Sequence, residues 1–471
     1  MAFLLGGANS ASGGYDIDNS LRFNGSNDRL TKTLGTPSNN KIWTLSWWQK
    51  LAWNTAADSE KNVFSAATGG GNGWNIDFTN NAYKIQNNGG TGADFSLFIE
   101  DPARQFRDPS AWQHFVVATD TTQGTAANRV KVYIDGVLIT VFLDTETYPD
   151  ADDTPDINRA VAHNIGANAN NDNNYFNGYL SEIFFIDGTQ YAASNFGETD
   201  EDSGIWKPKD AKGALTFGDN GFYLEFKQTG TGADANGMGA DTSGEDNHFA
   251  IANLAANNVT TDTPTNNFCT LNSVDNDGVV LTEGNLTFDS SSGNNEGVRG
   301  TMGVQNGKWY YECTITGSAG MAAGNLGYSR PEVPVTSGPA SVLGLFANGS
   351  SDFGLYNNSS GKTSLDASDG IDQNDVIGVA LDLDNDTIAY YRESSIMGSA
   401  QTINASILGD FLLPVMLDDG GANDVVGHFN FGNPTVALDS GNADENGYGN
   451  FEHAPPSGYY ALCTKNLAEY G

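Results

Sequence analysis

Two long regions of this chain alternate apolar and polar residues at a period of two and reverse at Gly, Asn or Asp. In the first region, Trp112-Gln113-His114-Phe115-Val116-Val117-Ala118-Thr119 is followed, after a polar loop, by Arg129-Val130-Lys131-Val132-Tyr133-Ile134-Asp135-Gly136-Val137. Later come Asn164-Ile165-Gly166-Ala167 and Phe176-Asn177-Gly178-Tyr179-Leu180-Ser181-Glu182-Ile183-Phe184-Phe185. A period of two places successive side chains on opposite faces of a strand, so these blocks predict antiparallel strands joined by tight turns. Asp135-Gly136 predicts a type I′ hairpin, whose two central residues need positive φ.

The chain has 471 residues, too many for one ordinary sandwich and enough for two. Its 57 Gly, with many Asn and Asp, favour turns over helix, and 11% aromatic residues are too many for a disordered chain. The fold class predicted is all-β: two antiparallel β-sandwiches (jelly rolls) in tandem with an irregular connector. The expected boundaries are a lead over 1–14, a first sandwich over 15–230, a connector over 231–265 and a second sandwich over 266–471. In Ile42-Trp43-Thr44-Leu45-Ser46-Trp47-Trp48, alternation puts Trp43, Leu45 and Trp47 in the core. Trp48 then faces another sheet or a sugar-sized groove.

A net charge of −36 repels phosphate backbones and anionic membranes, so nucleic acid is not an expected partner. No apolar run reaches the length of a membrane span, so no membrane insertion is expected. The start, Ala2-Phe3-Leu4-Leu5, lacks the form of a signal peptide, and synthesis and retention in the cytoplasm are expected. Cys269, Cys313 and Cys463 fit neither a disulfide framework nor a zinc site. The similar cadence around Cys269 and Cys463 suggests that the first and last strands of the second half pair, with those thiols near one another as one alternative, and buried, inert thiols are the expected state.

The first half, with Ser20-Leu21-Arg22-Phe23-Asn24-Gly25 and the strand order above, resembles the laminin-G-like, concanavalin A-like jelly roll. The second half carries Gly307-Lys308-Trp309-Tyr310-Tyr311-Glu312, Asp375-Val376-Ile377-Gly378-Val379-Ala380-Leu381-Asp382 and Asn430-Phe431-Gly432, and resembles a SPRY domain. These resemblances imply binding of sugars or proteins. The loops after Tyr328 and Tyr391 are long, so no partner carries over from the SPRY family.

Several further stretches are similar to structural proteins of marine tailed bacteriophages. They are Ile17-Asp18-Asn19-Ser20-Leu21-Arg22-Phe23, Gly221-Phe222-Tyr223-Leu224-Glu225-Phe226, Gly239-Ala240-Asp241-Thr242-Ser243-Gly244, Asp262-Thr263-Pro264-Thr265-Asn266-Asn267-Phe268 and Pro455-Pro456-Ser457-Gly458-Tyr459. That resemblance implies a non-enzymatic virion surface protein, made in the host cytoplasm, in a tail fibre or adhesin that binds host-surface glycan or protein. A head fibre or capsid decoration protein is the alternative setting, and a secreted glycan-active enzyme the alternative activity. Other virion proteins are the expected partners, and homo-oligomerisation stays open.

Glycosidases need two carboxylates flanking the cleaved bond, and no strand in 15–200 carries the Glu-x-Asp-x-x-Glu pattern. Glu182 reads as an ordinary strand position. The candidate glycan contacts are Trp74, beside a Gly-rich loop, and Asp172, Asn173 and Tyr175, where amides and a carboxylate adjoin a ring. Phe3, Leu4 and Leu5 are the candidate docking anchor. Calcium is the one cofactor left open. Asp382, Asp384 and Asp386 mimic part of an EF-hand, but Thr387 stands where that loop needs Gly.

Overall fold

The structure, a computed structural model, describes residues 4–5, 14–52, 60–69, 73–79, 82–89, 91–92, 94–99, 106, 108–142, 146–290, 296–317, 323–336, 342–348, 352–357, 360–363, 365, 371–418 and 425–471. Antiparallel strands dominate it. Among the described residues one α-helix occurs, Thr464–Tyr470, and no helix is long and apolar enough to cross a membrane. The chain divides into two units, Ala11–Thr265 and Asn266–Gly471, the latter grouped with Met1–Ser10.

The first unit is two packed sheets. One runs in the order Val137–Leu138, Val130–Ile134, Trp112–Asp120, Ile42–Leu51, Asn177–Asp187, Ser20–Asn24, Val259–Thr260, with Phe222–Leu224 also paired to Asn177–Asp187. The other runs Ala250–Ala252, Arg29–Thr33, Ala162–Ile165, Lys61–Ala67, Gly73–Thr79, Ala82–Asn88, Phe95–Ile99. Trp43, Leu45, Trp47, Phe64, Trp74, Phe115, Phe185 and Phe222 belong to the core they share. The predicted hairpin is present. Asp135 and Gly136 have φ of 49° and 78°, and Ile134 pairs with Val137. A Cβ on Gly136 would lie 2.4 Å from the Trp206 ring, so Gly is needed there for space as well as φ.

The connector expected over 231–265 is instead part of the first sandwich. Ala250–Ala252 extends the second sheet beside Arg29–Thr33, and Val259–Thr260 extends the first beside Ser20–Asn24. Met238, Phe249 and Leu254 enter the core. The stretch has little strand periodicity because side chains organise it. Asp241 accepts the backbone N–H groups of Tyr223, Ser243 and Asn247, each at 2.8 Å. The Asn247 side-chain amide donates to the Asp219 and Gly221 carbonyls.

The second unit is also two sheets. One runs Leu271–Asp277, Gly297–Gly300, Leu413–Asp418, Ala323–Ser329, Leu343–Asn348, Asp352–Asn357, Ser360–Thr363. The other runs Val280–Thr282, Thr287–Asp289, Val426–Asn430, Lys308–Ile315, Val376–Asp382, Thr387–Arg392, Ser395–Ile396. The first and last segments do pair, with Phe268 bridged to Cys463. Alternation nevertheless parts the thiols: Cys269 joins the main core, while Cys463 packs with Phe268 in a smaller cluster, and all three cysteines are free and buried. Leu4–Leu5 lies parallel to Met302–Gly303. The lead therefore engages its own chain at that point, and Phe3 lies outside the described residues.

Candidate binding sites

The outer face of the first sheet is sealed by the chain that follows it. Val116, Ala118, Phe184, Ile186, Phe196, Phe217 and Tyr223 form a second apolar layer there. Trp48 packs on His114 within that cover, ring centroids 4.8 Å apart, and lines no sugar groove. The Trp206 indole donates to His114 Nδ1 at 3.1 Å, and Nε2 lies 2.9 Å from Ser46 Oγ. An indole N–H can only donate, so Nδ1 accepts and the ring carries its proton on Nε2. Burial brings the His114 pKa down to about 3, leaving a neutral, structural ring.

Buried ionisable groups also lie on this face. Lys50 Nζ meets Asp262 at 2.8 Å with both side chains fully buried, and the Trp112 indole donates to the same carboxylate at 3.0 Å. Glu182 occupies a β-bulge between Ser181 and Phe184 with φ of 48°, a left-handed conformation uncommon outside glycine. The Tyr15 and Tyr223 hydroxyls donate to its carboxylate. Burial raises its pKa to about 7, and the nearby Glu225 adds to the rise against the opposing phenol hydrogen bonds. The ordinary strand position expected for Glu182 is a strained, buried one.

The outer face of the second sheet is polar. Strand Gly73–Thr79 sends Trp74, Ile76 and Phe78 into the core and Asn75, Asp77 and Thr79 outward. Trp74 is therefore not a sugar platform. It is 0% exposed and packs edge-on to Trp43 at 5.2 Å and to Phe64 at 6.1 Å. The alternation Trp74-Asn75-Ile76-Asp77-Phe78 was the signal for this, and it outweighs the neighbouring glycines.

Strand register sets Asn164 opposite Ser65, Ser65 opposite Asn75, Asn75 opposite Gln86, and Asn62 opposite Asp77. Gln86 donates to Asp77 Oδ2 at 2.9 Å. Asp77 is raised to about 7, first by burial and then by Glu60, with Lys84 and Gln86 pulling the other way. Both side-chain polar atoms of Asn62 and of Asn75, and Asp77 Oδ1, have no hydrogen-bond partner in the protein.

The loop carrying Asp172, Asn173 and Tyr175 borders this row. Ser65 Oγ donates to the Ala167 carbonyl and accepts Ala169 N–H, while Asn62 N–H donates to the Asn174 carbonyl. Asp172 pairs with Arg29 at 2.9 Å and accepts the Asn164 amide at 3.0 Å. Asp172 and Asn173 are exposed, and Tyr175 is half-buried, with its backbone bridged to Asn62. These three residues come together with a row that sequence reasoning had not picked out.

In the second unit, Asp382 serves the hairpin turn. It accepts the Asp384 and Asn385 backbone N–H groups and the Asn385 side chain, and pairs with Lys308 at 2.9 Å. Asp384 accepts Gly307 N–H at 3.0 Å, and Asp386 takes a left-handed φ of 55°. Among the described residues, no group of three or more His, Cys, Asp or Glu is placed to hold a metal ion. A cavity of about 230 Å³ in this unit is lined by Glu312, Val376, Glu393, Phe429, Leu438 and Glu452, among others. Burial raises the Glu312 pKa, against hydrogen bonds from the His453 and Glu452 backbone N–H groups and the Tyr310 hydroxyl.

Comparison with known proteins agrees with this architecture. Residues 24–199 match the concanavalin A-like lectin/glucanases superfamily, and residues 308–433 match the SPRY domain. No curated protein matches the chain. Among solved structures, the SPRY domain of human HERC1 is 17% identical with a TM-score of 0.29, covering 34% of this chain and 96% of that one. The TRIM65 PSpry domain is 19% identical with a TM-score of 0.27, covering 34% and 91%. Stonustoxin is 15% identical with a TM-score of 0.26, covering 32% of this chain and 26% of that one. The chain carries a concanavalin A-like domain followed by a SPRY domain, a pair that suggests a binding or adhesion-type module.

Proposed function

We propose that this chain is a non-enzymatic adhesion protein that recognises a host-surface glycan through the 168–175 loop of its first sandwich, as a tail-fibre component on a phage virion. The observation that carries the glycan reading is that loop. Asn170, Asn171, Asp172 and Asn173 are exposed, while Arg29, Asn164, Ser65 and Asn168 hold the backbone in one conformation. Exposed amides on a pre-ordered loop bind sugar hydroxyls with little ordering cost. The non-enzymatic reading is supported by the placement of the first unit's two carboxyls raised to about 7. Asp77 and Glu182 stand on opposite outer faces of the sandwich and cannot flank one glycosidic bond.

The test measures binding of the folded Asn173→Ala/Tyr175→Ala variant to host cells and to purified surface polysaccharide. A loss of tenfold or more is expected, amplified on a multivalent particle. Unchanged binding defeats the assignment to this loop. Immunogold labelling of particles separates the settings, with label on fibres expected, and label on the head pointing to a decoration protein.

A further inference from the structure

Lys50 stands in the middle of a cross-strand row on the sealed face of the first sheet. Strand register places Trp112 opposite it on one side and Tyr179 on the other. Its Nζ lies 5.4 Å from the centre of the Tyr179 ring and 2.8 Å from Asp262 Oδ2, and both side chains of the pair are 0% exposed. Keeping an ammonium and a carboxylate charged out of water is costly, and proton transfer within the pair neutralises both. We propose that Lys50 and Asp262 condense into an isopeptide bond, so that the first unit closes its own chain covalently. This goes beyond the adhesion reading and does not depend on it.

The geometry supplies the parts of the reaction. A proton passes from the Lys50 ammonium to Asp262 Oδ2, leaving a neutral amine and a carboxylic acid. Nζ then attacks Cγ, the C–N bond forms and the Cγ–Oδ2 bond breaks. Oδ2 departs as water, with its own proton and one from the nitrogen. The Trp112 indole selects which oxygen stays. It donates to Oδ1 at 3.0 Å, where negative charge develops in the tetrahedral intermediate, so Oδ1 becomes the amide carbonyl. Both reactants are held in place. Lys50 belongs to a strand paired on both sides, Ser20 Oγ donates to the Asp262 carbonyl at 2.6 Å, and the Asp262 N–H donates to Thr260 Oγ1 at 3.2 Å. Groups fixed side by side in this way react with effective concentrations on the order of 10⁵–10⁸ M. The product is a neutral amide, which removes both buried charges. It spans 212 residues and ties the end of the first unit, which closes at Thr265, to the strand Ile42–Leu51. A pull on the two ends of that unit then bypasses the chain that the bond encloses.

The experiment is intact-mass spectrometry of the full chain after denaturation. A mass below the sequence mass by one water is expected, and proteolysis should yield a branched peptide joining the Lys50 and Asp262 segments. Lys50→Met and Asp262→Ala should each return to the full mass of their own sequences. The branched peptide from the wild-type chain decides the matter where a variant fails to fold. Trp112→Phe keeps a ring but loses the N–H donor, and should slow the loss of water after refolding tenfold or more. A wild-type chain at its full sequence mass overturns the proposal and leaves an ordinary buried ion pair. A water lost from the wild type and lost equally from Lys50→Met belongs to another residue, such as a cyclised aspartate, and also overturns it. An unchanged rate in Trp112→Phe overturns the role given to the indole.

Discussion

The two outer faces of the first sandwich began from the same alternation and met opposite fates. On the first sheet, Trp48, Lys50, Phe184 and Glu182 are covered by later chain, and three buried groups there find partners across the fold: His114 in Trp206, Lys50 in Asp262, Glu182 in Tyr15 and Tyr223. On the second sheet, Asn62 and Asn75 are buried with no protein partner at either end. A face whose polar groups pair internally contributes stability. A face whose amides are left without partners carries a stability cost that structure alone does not require, and such sites are where binding function concentrates.

The sealed face should be the more sensitive to mutation. Asp262→Ala strands the Lys50 ammonium in a fully buried position, and removing one member of a buried pair costs about 3–5 kcal/mol. Urea denaturation should show that loss as a lower midpoint at unchanged slope. A loss below about 1 kcal/mol, the range of exposed pairs, would mean that the face is wet and that the contrast fails.

A pH experiment probes the same seal. The Glu182 pKa stands at about 7 when folded against 4.5 for the free side chain, so the folded state binds the extra proton between those values. Stability from this group is fully present below pH 4.5 and is lost as pH rises towards 7. His114 and His163, lowered by burial to about 3 and about 4, slope the other way, so wild type alone conceals the effect. The difference between wild type and Glu182→Gln isolates it. The stability advantage of wild type should shrink by on the order of 3 kcal/mol between pH 4.5 and about pH 7. A difference that stays constant with pH would place Glu182 in solvent.

The polar face should respond in the opposite direction. Asn75→Leu replaces a buried amide lacking partners with an apolar side chain of similar size and should stabilise the fold by roughly 1–3 kcal/mol. Destabilisation by that amount would show that the amide is internally satisfied and that the two faces do not differ in kind.

Much of the fold was legible in local pattern. The Asp135-Gly136 turn and the inward set Trp43, Leu45 and Trp47 follow from alternation and turn chemistry over a few residues. The place of residues 231–265 was not legible, because Asp241 and Asn247 hold that stretch through side-chain bonds that leave no period in the sequence. The candidate site was half legible. Asp172, Asn173 and Tyr175 do border a polar row, while Trp74, which its glycine neighbours mark as a ring at a loop edge, shares the parity of Ile76 and Phe78 and enters the core.

The sequence by itself determined which residues alternate, where the strands reverse, and that two sandwiches follow one another, because each of these depends on neighbours within a few positions. Only the tertiary structure decided which outer face is sealed. Lys50 and Asp262 stand 212 residues apart, and the fold's long-range register alone brings them to 2.8 Å. The same register sets Asn62 beside Asp77 and Ser65 beside Asn75 from separate strands. It thereby gathers into one row polar side chains that, read along the chain, are only the solvent-facing half of an alternating pattern.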